Sequence, residues 1–167
     1  GVYYNPMWLT RAAWEKDCPV QKTGVTTKQI VGENSFNSDL YWVDTARPGA
    51  EQWIKGYVRH FINLGATYLR IDFLENYERN YGSDKYAQAL KWIKEEAGDE
   101  IFISIVMPNC FSHGKNEMAV VGILSVRANE VRGRNSGHNM TMHLMDLLAF
   151  LILHPVGNLL WMETLCV

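Results

Sequence analysis

Apolar positions along this chain follow two rhythms. Between Ala50 and Ile62 they recur at i, i+3, i+4 and i+7: Ala50, Trp53, Ile54, Tyr57, Val58, Phe61 and Ile62. That spacing predicts a helix with one buried face. Asp44 or Thr45 is expected to cap it, Pro48 suits its first turn, and Gly65 stops it. A second helix is predicted from Lys85 to Ala97, with Ser83 or Asp84 as cap and Gly98 as stop. Elsewhere the apolar residues run without interruption, as in buried strands. Such runs span Gly1 to Trp8, with a stop at Asn5-Pro6, then 67–73, Ile101 to Met107, Ile123 to Arg127 and Asn158 to Met162.

The segments between are weaker in signal. Thr10 to Cys18 reads as a short helix, and Lys22 to Phe36 as a hairpin or an extended excursion. Tyr41 to Val43 is a short strand or extended entry. Residues 108–121 form a loop with a short helix from Asn116 to Val121, and a further helix runs near Met140 to Leu153. Strands thus alternate with helices, and the strands are apolar on both faces. This is the pattern of an α/β fold, with parallel strands covered on both sides or closed into a barrel. No GxGxxG follows the first strand and no GxxxxGK[ST] is present, so nothing points to a nucleotide fold.

Composition narrows the chemistry. Sixteen Lys+Arg stand against 18 Asp+Glu in 167 residues, with no basic run, which argues against a nucleic-acid partner. The apolar run from Met145 is broken by His154, Pro155, Gly157, Asn158 and Glu163, which argues against a membrane span. Cys18, Cys110 and Cys166 are widely spaced and the five histidines are scattered, so neither a disulfide framework nor a metal site is expected, and no cofactor is implied. Aromatic residues make up 12% of the chain, a content that serves both cores and sugar-binding faces. No signal-peptide pattern opens the chain, and the compartment, bacterial cytoplasm or outside, is left open.

Polar residues gather at the C-terminal ends of the strand runs. They are Asn5, then Arg70, Asp72 and Glu75, then Asn109 and Cys110, then Arg127, Asn129 and Glu130. In an α/β barrel that rim carries the chemistry. Residues i and i+2 of a strand share a face, so Arg70 and Asp72 are expected to point the same way. A guanidinium beside a carboxylate favours its ionised form, and an ionised, oriented carboxylate is what a glycosidase nucleophile must be. Glu130, two strands later, is the best-placed second carboxyl, and Arg127 before it could hold a sugar hydroxyl.

Blander readings compete with each assignment. Arg70 and Asp72 could form a buried structural ion pair. Glu130, Glu75 and Glu78 could be solvated loop acids. Asp44 reads as a helix cap rather than a catalyst, and Trp42, Tyr41 and Trp161 as core or as sugar platforms. Cys110 near Asn109 and His113 lacks any acyl-transfer context.

Several of these stretches resemble one family. "YLRIDF" is similar to the [Lys/Arg]-x-Asp strand motif of the α-galactosidase-like glycoside hydrolases, clan D, also called melibiases. The resemblance implies that Asp72 is the nucleophile and that Arg70 binds sugar hydroxyls. "GVYYNP" resembles the preceding barrel strand and implies that Tyr3 lies near the sugar. "IFISIVMPNC" resembles the next strand, which implies that Asn109 and Cys110 line the pocket. "SVRANE" resembles the one after, which implies sugar contact from Arg127 and an acid/base role for Glu130. That position is usually Asp in the family. The stretch "YWVDTARPGAEQWIKGYVRHFINLGATYLRIDFL" resembles bacterial members in which a Pro-Gly-Ala helix leads into the nucleophile strand. The tail lacks the Asn-Asp-Pro-Asp pattern of some members.

The fold so implied is a partial (β/α)8 TIM barrel over 1–167, a single domain. It would hold about five parallel strands with covering helices, roughly the third to seventh strand units of about 250 residues. The expected function is a retaining glycoside hydrolase acting on α-galactosides or related α-glycosides. The alternative is a non-catalytic carbohydrate-binding or structural barrel fragment. The expected partner is a carbohydrate, with association through exposed barrel edges at the first and last strands.

Overall fold

Along the chain run β1 (Val2–Tyr3), β2 (Trp8–Thr10), α1 (Arg11–Lys16), α2 (Thr27–Ile30), β3 (Val31–Asn37), β4 (Leu40–Val43) and α3 (Ala50–Asn63). Then follow β5 (Tyr68–Ile71), α4 (Leu74–Tyr81), α5 (Ser83–Ala97), β6 (Phe102–Ile105), β7 (Val126–Arg127) and β8 (Met162–Glu163). The computed structural model describes residues 1–105, 116, 126–127 and 162–163. The helix expected near 140–153 lies outside these residues. So does that expected from 116–121, apart from Asn116 itself, which is helical.

β1, β5 and β6 form one sheet in that order, all parallel. The pairing sets Val2 beside Leu69, Tyr3 beside Arg70, and Arg70 beside Ser104. A second parallel pair joins β7 to β8, with Arg127 opposite Glu163. Five parallel strands are therefore present among the described residues, as the apolar runs predict.

The run from Gly1 to Trp8 is not one strand. It splits after Tyr3, and Trp8–Thr10 enters a separate antiparallel sheet of order β2-β4-β3. This sheet is inserted between β1 and α3. The span Lys22 to Phe36, expected as a hairpin or extended excursion, instead holds the short helix α2 and most of β3, whose antiparallel partner is β4 beyond it. The sheet's inner residues Leu9, Trp42 and Val43 are fully buried. That burial makes its strands look as apolar in sequence as the parallel ones, so alternation alone could not separate the two sheets.

α3 buries Ala50, Ile54, Val58 and Phe61, one stripe at helical spacing, and packs against α5. α5 turns Tyr86, Ala89, Leu90, Ile93 and Ala97 inward. With Leu69, Ile71, Ile103 and Ile105 these side chains belong to one core. Each fully buried large aliphatic contributes about 1.5–3 kcal/mol. On the rim of the helix pair Lys55 bridges Glu51 and Glu95 at 2.7 and 2.9 Å.

Helix starts depart from expectation. α3 begins after Gly49, at φ 88, instead of at an Asp44 or Thr45 cap, and Pro48 lies just before the helix. Asp44 instead closes a turn, accepting the Ala46 N–H at 2.9 Å, and pairs with Lys85 at 2.7 Å. α5 begins at Ser83 itself, after Gly82. α2 carries a capping box between Thr26 and Gln29.

An aromatic seam joins the inserted sheet to the barrel helices. Tyr4 stacks on Tyr57 at 4.9 Å, Trp8 lies 5.5 Å from Trp42, and Trp42 meets Tyr77 edge-on at 5.4 Å. Trp42 is thus core, one of the two readings open for it. Tyr41 stacks on Trp14 at 5.1 Å, and Lys28 covers the indole at 5.1 Å, so this pair offers no bare platform. Trp161 lies outside the described residues. The Tyr77 hydroxyl donates to the Val43 carbonyl at 2.8 Å, tying α4 to β4. Burial pushes that hydroxyl's pKa up.

Candidate active site

β5 alternates: Leu69 and Ile71 are fully buried, while Tyr68 and Arg70 are half-buried on the other face. Register partners in a parallel sheet share a face, so Tyr3, Arg70 and Ser104 form one row across the three strands. One row toward the amino ends, Tyr68 stacks on Phe102 at 5.8 Å. One step toward the carboxyl ends stands Asp72.

Asp72 lies just beyond β5, which ends at Ile71 and not at residue 73. Its carboxylate is held from two sides. The Tyr3 hydroxyl donates to Oδ2, and the Phe73 N–H donates to Oδ1 at 2.7 Å. Its backbone carbonyl accepts the Asn5 side-chain amide at 2.7 Å. Phe73 then turns the chain into α4 with φ 62 and ψ 24, a left-handed conformation rare for a bulky side chain. A carboxylate just ahead of a helix's first turn sits at the positive end of its dipole. Asp72 is half-buried and Tyr3 is 57% exposed, so a ligand can reach both from solvent.

Arg70 does not pair with Asp72. Its guanidinium donates to the Tyr68 hydroxyl at 3.3 Å and the Ser104 hydroxyl at 3.5 Å. The strand ends between the two residues, and the shared-face rule ends with it. This removes the core ion pair as an account of the two charges. It also removes Arg70 as the direct partner that tunes Asp72.

α4 is a helix where loop residues were expected. Glu75 pairs with Arg79 one turn on. Glu78 is buried at 6% exposure, and its Oε1 accepts the Asn116 amide at 3.1 Å, so it is not a solvated loop acid. Asn116 also donates to Ser83 at 2.6 Å. Phe73, 37% exposed, lies 5.7 Å from Trp8.

Of the residues singled out in the sequence, Tyr3, Arg70 and Asp72 are brought together. Arg127 stands on β7 at the register position opposite Glu163. Asn109, Cys110 and Glu130 lie outside the described residues. Ser104 and the bonds made by Asn5 were not foreseen. An Asn-Pro pair at a strand end was the available signal for Asn5, since proline offers the ladder no N–H.

Over 152 residues the chain is 36% identical to the isomalto-dextranase of Arthrobacter globiformis, covering 80% of this chain and 24% of that protein. The structure of the Arthrobacter globiformis enzyme complexed with panose superposes with a TM-score of 0.66 at 38% identity, over 77% of this chain and 24% of that one. A GH27 β-L-arabinopyranosidase from Geobacillus stearothermophilus superposes with a TM-score of 0.66 over 98% of this chain and 37% of that one. Its 17% identity makes this a likeness of fold. The chain spans about a quarter of the length of the curated relative it matches. No family model matches it.

Proposed function

From the premise that this chain is a homologue of isomalto-dextranase with the fold of the GH27, α-galactosidase-like enzymes of clan D, we propose that it carries the nucleophile side of a retaining glycosidase site. Asp72 attacks the anomeric carbon and forms a glycosyl-enzyme. Glu130 protonates the departing oxygen and then activates the water that releases the sugar. Arg70, Arg127, Tyr3, Asn109 and Cys110 contact sugar hydroxyls.

The observation that carries this reading is the setting of Asp72. It stands at the carboxyl end of a parallel strand, half-open to solvent, with each carboxylate oxygen already held by a donor. A nucleophile needs that orientation before substrate arrives. Arg70 is engaged elsewhere, so the carboxylate is not taken up in an ion pair with it.

The substrates are α-galactosides or related α-glycosides. The homologue's name brings dextran, an α-glucan, into that range. The test is Asp72→Asn in the full-length protein, assayed on aryl α-galactoside, aryl α-glucoside and dextran. Loss of at least about a thousandfold in kcat/KM on whichever substrate the parent turns over is expected. Unchanged activity would remove Asp72 from the chemistry and favour a carbohydrate-binding barrel.

A further inference from the structure

We propose that Asn5 is a positioning residue for Asp72, orienting the nucleophile's carboxylate through the Asp72–Phe73 peptide. The inference rests on the nucleophile reading above.

Regular pairing between β1 and β5 ends with the Tyr4 N–H on the Arg70 carbonyl, at 3.0 Å. Beyond that point the β1 backbone leaves for the inserted sheet, and Pro6 has no N–H to offer. The Asn5 side chain continues the pairing instead. Its Nδ2 donates to the Asp72 carbonyl at 2.7 Å, and its Oδ1 accepts the Met7 N–H at 2.8 Å. One amide orientation satisfies both partners; the flipped one would set oxygen against oxygen and N–H against N–H. Asn5 is 1% exposed, so water cannot easily replace either bond.

The Asp72 carbonyl belongs to the same planar peptide unit as the Phe73 N–H. Asn5 grips one side of that unit, and Asp72 Oδ1 accepts from the other at 2.7 Å. Rotation of this peptide would carry the Oδ1 donor away. Resistance to rotation is needed here, because Phe73 holds φ 62, which persists only where the surroundings impose it. Tyr3 holds the second oxygen, Oδ2. Two residues of the stretch "YYNP", Tyr3 directly and Asn5 through the Asp72–Phe73 peptide, thus set both oxygens of a carboxylate far along the chain.

The experiment uses the full-length enzyme with an aryl α-glycoside that it hydrolyses. Asn5→Ser keeps an acceptor for the Met7 N–H but is too short to reach Asp72. Asn5→Asp keeps shape and the Met7 bond but turns an oxygen toward the carbonyl. Expected for both is a fall of about 10- to 100-fold in kcat per folded molecule, with KM within about twofold of the parent. Parent-like kcat in either folded variant overturns the proposal, as does a change confined to KM. Failure of both to fold also overturns it, assigning Asn5 to the fold alone. Asp72→Asn is run alongside. If it retains activity, the nucleophile reading has failed; if it is inactive while Asn5→Ser matches the parent, only the role of Asn5 has.

Discussion

The Tyr3 hydroxyl donates to Asp72 Oδ2, joining residues 69 positions apart in sequence. The bond is possible because β1 pairs with β5 so that Tyr3 faces Arg70, one step short of Asp72. Tyr3 is 57% exposed, so its hydroxyl contributes little to stability and its ring stays available to a ligand. Tyr3→Phe is expected to leave the melting temperature unchanged. Loss of the donor that orients one carboxylate oxygen should lower kcat/KM roughly ten- to hundredfold. Steady-state kinetics on an aryl α-glycoside would check this, and a parent-like value would take Tyr3 out of the site.

A different class of effect is expected at Tyr77. It is fully buried, and its hydroxyl satisfies the Val43 carbonyl at 2.8 Å. Tyr77→Phe keeps the ring contacts and leaves that carbonyl without its donor. The expected loss is about 1–3 kcal/mol in urea unfolding. No loss would mean that the seam between α4 and β4 is held by ring packing alone.

Gly49 has both a conformational and a steric reason to be glycine. Its φ is 88, and an added Cβ would run into Cγ2 of Val25. Gly49→Ala should cost about 1–3 kcal/mol in thermal or denaturant unfolding. Gly56 sits within α3 with open space where a Cβ would stand, so Gly56→Ala should be neutral or stabilising by up to about 1 kcal/mol. Equal effects at the two glycines would contradict the close fit of Gly49 against Val25.

The acid limb of stability should depend on Asp44. Burial opposes ionisation of its carboxyl, but the Lys85 ammonium and the Ala46 N–H outweigh burial, and the pKa is lowered. A group depressed in the folded state adds stability above its unfolded value, near 3.9, and loses it as pH falls through the folded value. Lys85→Met should therefore flatten the decline in unfolding free energy below about pH 4. An identical acid limb in parent and variant would show that the pair contributes nothing.

Much of this architecture was legible because amphipathic spacing is local. The α3 stripe from Ala50 to Phe61 and the apolar body of β5 needed no knowledge of distant contacts. α4 escaped notice because "LENYERNY" is mostly polar and follows Phe73, a residue type that gives no cap signal. Its buried Glu78 has a partner, Asn116, 38 positions away, which no local pattern encodes. The second sheet was missed for the opposite reason. Trp8, Leu9, Trp42 and Val43 are as apolar as parallel strands, and strand direction leaves no trace in hydropathy. At the site, residue types were readable and partners were not. Arg70 and Asp72 stood out as charges in an apolar run, but the end of β5 between them decided that they would not meet.

Only Asp72 and Phe73 separate β5 from α4, whereas residues 4–49 separate β1 from α3. The two connections divide the labour of adaptation. A two-residue joint with a left-handed Phe73 cannot lengthen or change sequence without moving Asp72. The long connection can be rebuilt around its own three-stranded sheet while β1 stays in register. Related enzymes that differ in the sugar they accept should therefore differ most in the inserted sheet and least in the joint.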